Sequence, residues 1–214
     1  MYKLLFCVLL VLYLFFTFSC KKKDENSMSG KLTDMTTKTP VSGAEVSLYY
    51  SEVSSGVLNP EFKLLETTNT DQSGNYNFSF ESKVFYKFRL IFKKNGYHSR
   101  SIDFDPENIA ANYEKNETIA KESYLKMIIS SKPETDHTLS VHVKDINSLC
   151  DFCCSGPFYF SGQGINETLT CYTVGGEKVT VEAFEKDEYG NNSGHKIEEF
   201  DCPIGDTIVF NYRF

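Results

Sequence analysis

Apolar and polar residues alternate strictly in segment after segment, and this pattern constrains the chain more than any other. Tyr76, Phe78 and Phe80 alternate with Asn75, Asn77 and Ser79, and Tyr86, Phe88, Leu90 and Phe92 repeat the pattern one segment later. Leu125, Met127 and Ile129 follow, then Leu139, Val141 and Val143, then Val179, Val181 and Ala183, and last Ile208, Phe210, Tyr212 and Phe214. Successive side chains of a strand point to opposite faces, so each run reads as a strand with one buried side. No stretch carries a clean helical period, and Gly and Asn/Asp/Ser clusters punctuate the chain at turn-like intervals. Thirteen Tyr and eighteen Phe, with many Val, Ile and Thr, favour strands as well. The expected fold class is all-β.

The amino end is different. Residues 4–18 carry no charge, follow a short basic start, and give way at Cys20 to Lys21-Lys22-Lys23-Asp24-Glu25. A membrane-spanning helix needs about 20 apolar residues to cross about 30 Å of hydrocarbon, so this run is too short and reads as an export signal. Ser19-Cys20 resembles the signal of bacterial lipoproteins, in which the Cys becomes the first residue of the mature chain. Phe18 and Thr17 depart from the strict form in a way that Bacteroidetes lipoproteins tolerate. The resemblance implies a signal peptide over 1–19, an acylated Cys20 (palmitate class) and a lipid anchor with flexible tether over 20–27. It also implies a lipid bilayer as partner and a cell-envelope, outer-membrane address. Ordinary secretion with an incidental Cys20 is the alternative. Lys23-Asp24-Glu25 resembles the short signal that sends some such lipoproteins to the outer face, and Asp206-Thr207-Ile208 resembles an O-glycan acceptor of exported proteins.

The body divides into two expected modules, 28–117 and 118–214, with one large sandwich across both as the rival. In the first, strands are expected at 29–34, 44–50, 62–70, 75–80 and 86–92, with a loop at 52–61 and a polar link near 106–116 that contains a helical turn at 107–112. Ser29-Gly30-Lys31-Leu32-Thr33-Asp34, Thr39-Pro40-Val41-Ser42-Gly43-Ala44-Glu45-Val46, Thr70-Asp71-Gln72-Ser73-Gly74-Asn75-Tyr76-Asn77-Phe78 and Lys94-Asn95-Gly96-Tyr97 together resemble the carboxypeptidase-regulatory-like modules. The resemblance implies a transthyretin-like (prealbumin-like) sandwich of about seven strands, usually non-catalytic. Asp71 and Gly74 read as a tight turn rather than a calcium loop, because the alternating oxygen ligands and distal Glu of an EF-hand are missing. The second module is expected to be an immunoglobulin-like sandwich of six or seven strands. Its last strand, 207–214, needs a partner to be tolerable.

Five cysteines lie in the second module: Cys150, Cys153, Cys154, Cys171 and Cys202. In an exported protein these are candidates for disulfides, with the 150–154 loop tied to Cys171 and Cys202 and one thiol left over. Reduced buried thiols are a second reading. A third is a four-thiolate metal site from Cys150, Cys153, Cys171 and Cys202, since Cys150-x-x-Cys153 has zinc-knuckle spacing. The expectation adopted is no metal and no cofactor.

The formal charge of −7 and the lack of a basic block beyond residues 21–23 disfavour a nucleic-acid partner. His98, His137, His142 and His195 fall at no metal-ligand spacing and beside no expected nucleophile, and no catalytic motif is present. Tyr49 and Tyr159, at the edges of expected loops, are the candidate ligand-facing residues. The expected function is that of a non-enzymatic envelope lipoprotein whose sandwiches bind or position a protein or glycan at the membrane surface. The alternatives are a structural subunit of a surface assembly or uptake complex, and a hydrolase with an unrecognised site in the second module.

Overall fold

The computed structural model describes residues 25–54, 57–81, 85–105, 112–145, 147, 149–154 and 156–214. The signal segment, Cys20 and most of the expected 107–112 turn lie outside the described residues. Among the described residues, fifteen strands form four sheets, two for each half of the chain. The protein is all-β, built as tandem sandwiches.

In the first sandwich, β1 (Glu25–Asp34) pairs antiparallel with β4 (Asn75–Glu81) on one edge. Its other edge carries two short parallel strands in succession, β7 (Asn112–Glu114) and β8 (Glu117–Ile119). The facing sheet runs β3 (Val57–Asn69), β2 (Glu45–Ser54), β5 (Lys87–Lys93), β6 (Arg100–Phe104), all antiparallel. Between the sheets lie Met28, Leu32, Val46, Leu48, Phe78, Phe88, Leu90, Phe92 and Ile119, none with measurable exposure. β8 therefore belongs to this core and straddles the expected 117/118 boundary.

Three expectations differ in detail. The loop expected at 52–61 is largely strand, because β2 runs to Ser54 and pairs back with β3 through Glu52↔Asn59 and Ser54↔Val57. Pro60 is tolerated there because β3 is an edge strand. Tyr86 does not join the inward row. It precedes β5 and is about half exposed, and Phe85 fills the core in its place, with its ring 5.3, 5.7 and 4.6 Å from those of Tyr50, Phe80 and Phe88. The link near 106–116 is not wholly a linker, since β7 and β8 complete the β1 sheet.

The second sandwich has the sheet β11 (Phe158–Ser161), β10 (Thr138–Lys144), β13 (Lys178–Lys186), β14 (Asn192–Asp201). It faces the sheet β12 (Asn166–Val174), β9 (Glu122–Ser130), β15 (Thr207–Arg213). Leu125, Met127, Ile129, Val141, Val181, Ala183, Phe210 and Phe214 form its core. β15 pairs parallel with β9, and Phe214 N–H donates to the Ser130 carbonyl at 3.0 Å, so the last strand is paired on one side.

Matching turns recur in the two sandwiches, the first carrying the chain from β3 across to β4 in the facing sheet and the second closing the β13–β14 hairpin. Asp71 Oδ1 accepts from the Ser73 and Asn75 amides, both at 2.8 Å, and Gly74 takes φ +77°. Asp187 Oδ1 accepts from the Tyr189 and Asn191 amides at 3.0 and 2.8 Å, with Gly190 at φ +82°. Both carboxylates are engaged by their own turns, as the turn reading of Asp71 requires.

Gly30 sits where β1 passes the β7–β8 step. A Cβ there would overlap the Lys115 carbonyl oxygen and come within 2.6 Å of the Tyr76 hydroxyl, which itself donates to that carbonyl. Overpacking of this kind costs about 1–3 kcal/mol. Gly30→Ala is therefore expected to lower the unfolding free energy measured in urea by that amount, while Ser29→Ala on the exposed side leaves it within about 0.5 kcal/mol of wild type.

Candidate functional site

The outer face of the β11–β10–β13–β14 sheet carries an aromatic row. Register places Tyr159 opposite Ser140, Ser140 opposite Phe184, and Phe184 opposite His195. Val141 and Ala183, one residue along, point into the core, so this row points outward. Tyr159 is 75% exposed. Phe184 stacks on His195 at 4.6 Å and meets the His142 ring edge-on at 5.7 Å. A groove of about 290 Å³ runs between Ser140, Tyr159, Phe160, Phe184 and Lys186. Beside it, the nearly buried Glu182 accepts from His195 Nε2 at 2.9 Å and from Lys144 Nζ, and these two contacts hold its pKa below the usual carboxylate range. Together these groups offer a flat apolar platform with a polar rim, suited to stacking and hydrogen bonding.

Tyr49 occupies a different surface. It lies on β2 between Leu64 and Arg89 on the outer side of the first sandwich, and is half-buried. Arg89 is committed to Asp103 through bonds of 2.6 and 2.9 Å and covers Phe62 at 3.9 Å. Tyr49 and Tyr159 thus belong to separate sheets of separate sandwiches.

The five cysteines resolve into two bridges, Cys150–Cys153 and Cys154–Cys171, with Cys202 a buried free thiol whose pKa is raised by burial. Cys171 is tied to the loop as expected. Cys202 is not, and the four-thiolate set from Cys150, Cys153, Cys171 and Cys202 is not assembled. The Cys154–Cys171 bridge spans 17 residues and the other spans 3. Chain entropy assigns these about 3 and about 2 kcal/mol, so the longer bridge is the stronger staple.

The junction between the sandwiches is polar and partly charged around a small apolar knot of Ala120, Cys150, Cys153 and Val174, with Met35 and Leu149 against it. Asp34, at the end of β1, is 1% exposed. Its Oδ1 accepts from the Thr36 and Thr37 amides at 2.9 and 2.8 Å, and its Oδ2 accepts from Tyr97 Oη at 3.0 Å and pairs with Lys121 Nζ at 3.3 Å. The turn so fixed reaches the second sandwich, where Thr36 Oγ1 donates to the Gly175 carbonyl at 3.1 Å. On the far side, His98 N–H donates to the Ala120 carbonyl, and its ring nitrogen Nε2 lies 2.8 Å from the Thr173 carbonyl.

Phe184 and Glu182 were not singled out from the sequence, and His98 and His195 were set aside there because their spacing fits no ligand set. Phe184 and Glu182 were within reach, because the alternation that sends Val181 and Ala183 inward sends 182 and 184 outward. The pairing that places His195 beside Phe184 needed the β13–β14 register. His98 meets Cys150 across 52 residues, and no local pattern encodes that meeting.

No family model matches the sequence, and no curated protein matches it. Solved structures do align with it. The Bacillus anthracis TIE protein is 12% identical over 88% of this chain and 34% of that one, with a TM-score of 0.37. The minor pilin GBS52 of Streptococcus agalactiae is 9% identical over 88% and 94%, TM-score 0.37. The shaft pilin SpaA of Lactobacillus rhamnosus GG is 8% identical over 90% and 98%, TM-score 0.35. This chain spans about a third of the TIE protein. No functional argument rests on likenesses this remote.

Burial by itself would raise the Asp34 pKa, but the Thr37 amide and hydroxyl, the Tyr97 hydroxyl and Lys121 outweigh it and hold the carboxyl below its ordinary range. A group depressed in the folded state contributes stability above its unfolded value, near 4, and loses it as pH falls through the folded value. Asp34→Asn is therefore expected to be less stable than wild type at pH 7, with a shallower loss of stability below about pH 4. Urea midpoints measured from pH 7 to pH 3 check both.

Proposed function

We propose that this protein is a non-enzymatic cell-envelope lipoprotein, anchored in the outer membrane through acylated Cys20, whose second sandwich binds a glycan near the membrane surface. The observation that carries the reading is the Tyr159–Phe184–His195 row with its polar rim. An exposed aromatic ring beside a second ring presents a face on which a sugar can stack, and Thr138, Ser140, Ser161 and Lys186 supply hydroxyl and ammonium groups around it. Tyr49 is a weaker candidate, being half-buried beside an Arg already paired with Asp103. The first sandwich we read as a carboxypeptidase-regulatory-like, transthyretin-like module that spaces the binding domain from its anchor. In support, the four motif segments fall in β1, before and into β2, at the turn from β3 into β4, and in the turn between β5 and β6. The second sandwich we read as immunoglobulin-like.

A second reading has one observation in its favour. β15 is the outermost strand of its sheet among the described residues, a position that suits strand addition by a neighbour in a surface assembly, with Lys196 bonded to its Asn211 carbonyl.

Two measurements test the main reading. Labelled fatty acid is expected to enter the wild-type chain, and Cys20→Ala is expected to abolish both labelling and membrane retention. On a glycan panel, saturable binding is expected for at least one glycan, weakened about tenfold or more by Tyr159→Ala and unchanged by Tyr49→Ala. Flat responses across the panel overturn the glycan assignment, and co-purification with a protein through β15 favours the second reading.

A further inference from the structure

His98, Cys150 and Cys153 meet at the junction, with their ligand atoms all within 4.8 Å of one another. The histidine comes from the connection between β5 and β6, and the cysteines from the connection between β10 and β11. Each is less than a tenth exposed. The two cysteines are joined as a disulfide, and His98 Nδ1 lies 3.5 Å from Cys150 Sγ.

The orientation of the imidazole is the informative part. A carbonyl oxygen only accepts, so the 2.8 Å contact with Thr173 places the ring hydrogen on Nε2. The Nδ1 lone pair of the neutral ring then faces the sulfur. A disulfide sulfur has no proton to offer, so the oxidised form sets one buried acceptor against another. The ring is also held by its own backbone, through the Ala120 carbonyl, and by the edge of Tyr172 at 5.7 Å. An Nε2–H bond to a carbonyl that aims the opposite nitrogen at a pair of sulfurs is the support a metal-bound histidine receives. A second feature lies alongside. The small cavity that Cys153 shares with Cys202 is lined by Thr173, whose buried hydroxyl faces the Cys202 thiol and has no nitrogen or oxygen partner among the described residues.

We propose that the Cys150–Cys153 bridge is reducible and that its dithiol form, with His98 Nδ1, is a Zn²⁺ site. The reductant is a thiol. Two thiols give two electrons and two protons to the bridge, leaving as their own disulfide and generating the Cys150 and Cys153 thiols. Zn²⁺ then displaces both thiol protons and binds two thiolates and one neutral imidazole. The complex carries no net charge, which suits a site this deeply buried. Two sulfurs and one nitrogen match the ligand preference of zinc, and three protein ligands leave its fourth position for a small exogenous ligand. Because the histidine belongs to one sandwich and the cysteines to the other, metal binding cross-links the junction.

The test uses the purified full chain, oxidised or reduced under argon, with Zn²⁺ or with Co²⁺ as a coloured probe. Reduced protein is expected to bind one metal per chain by native mass spectrometry, and its Co²⁺ form to show tetrahedral d–d bands with thiolate charge transfer. Oxidised protein is expected to bind none. His98→Ala and Cys153→Ser are each expected to weaken Zn²⁺ binding about tenfold or more. X-ray absorption on the wild-type zinc form, which needs no variant, is expected to report two sulfurs and at least one nitrogen. Absence of binding by reduced wild type overturns the proposal. So does a coordination shell without nitrogen, or affinity unchanged in a folded His98→Ala chain.

Discussion

β1 holds the structure together. It is paired along both edges, antiparallel to β4 and parallel to β7 and then β8, so it closes the first sheet and buries Met28 and Leu32 beneath the aromatic residues of β4 and β5. Its last residue, Asp34, then spends both carboxylate oxygens on the turn beyond it and on Tyr97 and Lys121, which follow β5 and β8. A buried carboxylate is costly unless it is fully partnered. Here the partners come from the turn after β1, the β5–β6 connection and the passage from β8 into β9. The Asp34 carboxylate, with the backbone bonds of the same turn, holds Thr36 where it contacts Gly175.

For the proposed function the junction matters because it decides where the groove points. On that proposal the anchor precedes β1, which begins at Glu25, and β1 is also the strand whose end meets the second sandwich. Had the two halves been joined by the polar link alone, the Tyr159 face would sample many directions. With β7 and β8 built into the β1 sheet, the passage into β9 is only Ala120 and Lys121, and both are engaged: Ala120 by His98, and Lys121 by Asp34. Under the proposed function, the first sandwich is then a spacer of fixed orientation.

Much of this was readable from residue alternation. The inward rows at 76–80, 88–92, 125–129, 139–143 and 179–183 follow from period two and stand in the cores. What escaped was set by pairing partners distant in sequence. The reach of β2 and β3 into 52–61 depends on each supplying the other's ladder, and the local Ser, Gly and Pro content signals a loop instead. Tyr86 follows the alternation by spacing, yet Phe85 has the better fit among Tyr50, Phe80 and Phe88. The parallel pairing of β7 and β8 has no local signature, since parallel partners are always far apart in sequence. The site divides in the same way. Tyr159 was nameable from its position after the cysteine loop, whereas its companions Phe184 and His195 required the β10–β13–β14 register.

The central claim is that the end of β1 fixes the two sandwiches as one body. Backbone residual dipolar couplings measured in weakly aligned protein test it most directly, because each sandwich reports its own alignment. A single alignment tensor fitting residues of both cores, with equal magnitude and orientation, is the result this account predicts. Two tensors of different magnitude would mean that the sandwiches move independently and that Asp34 organises only its own turn.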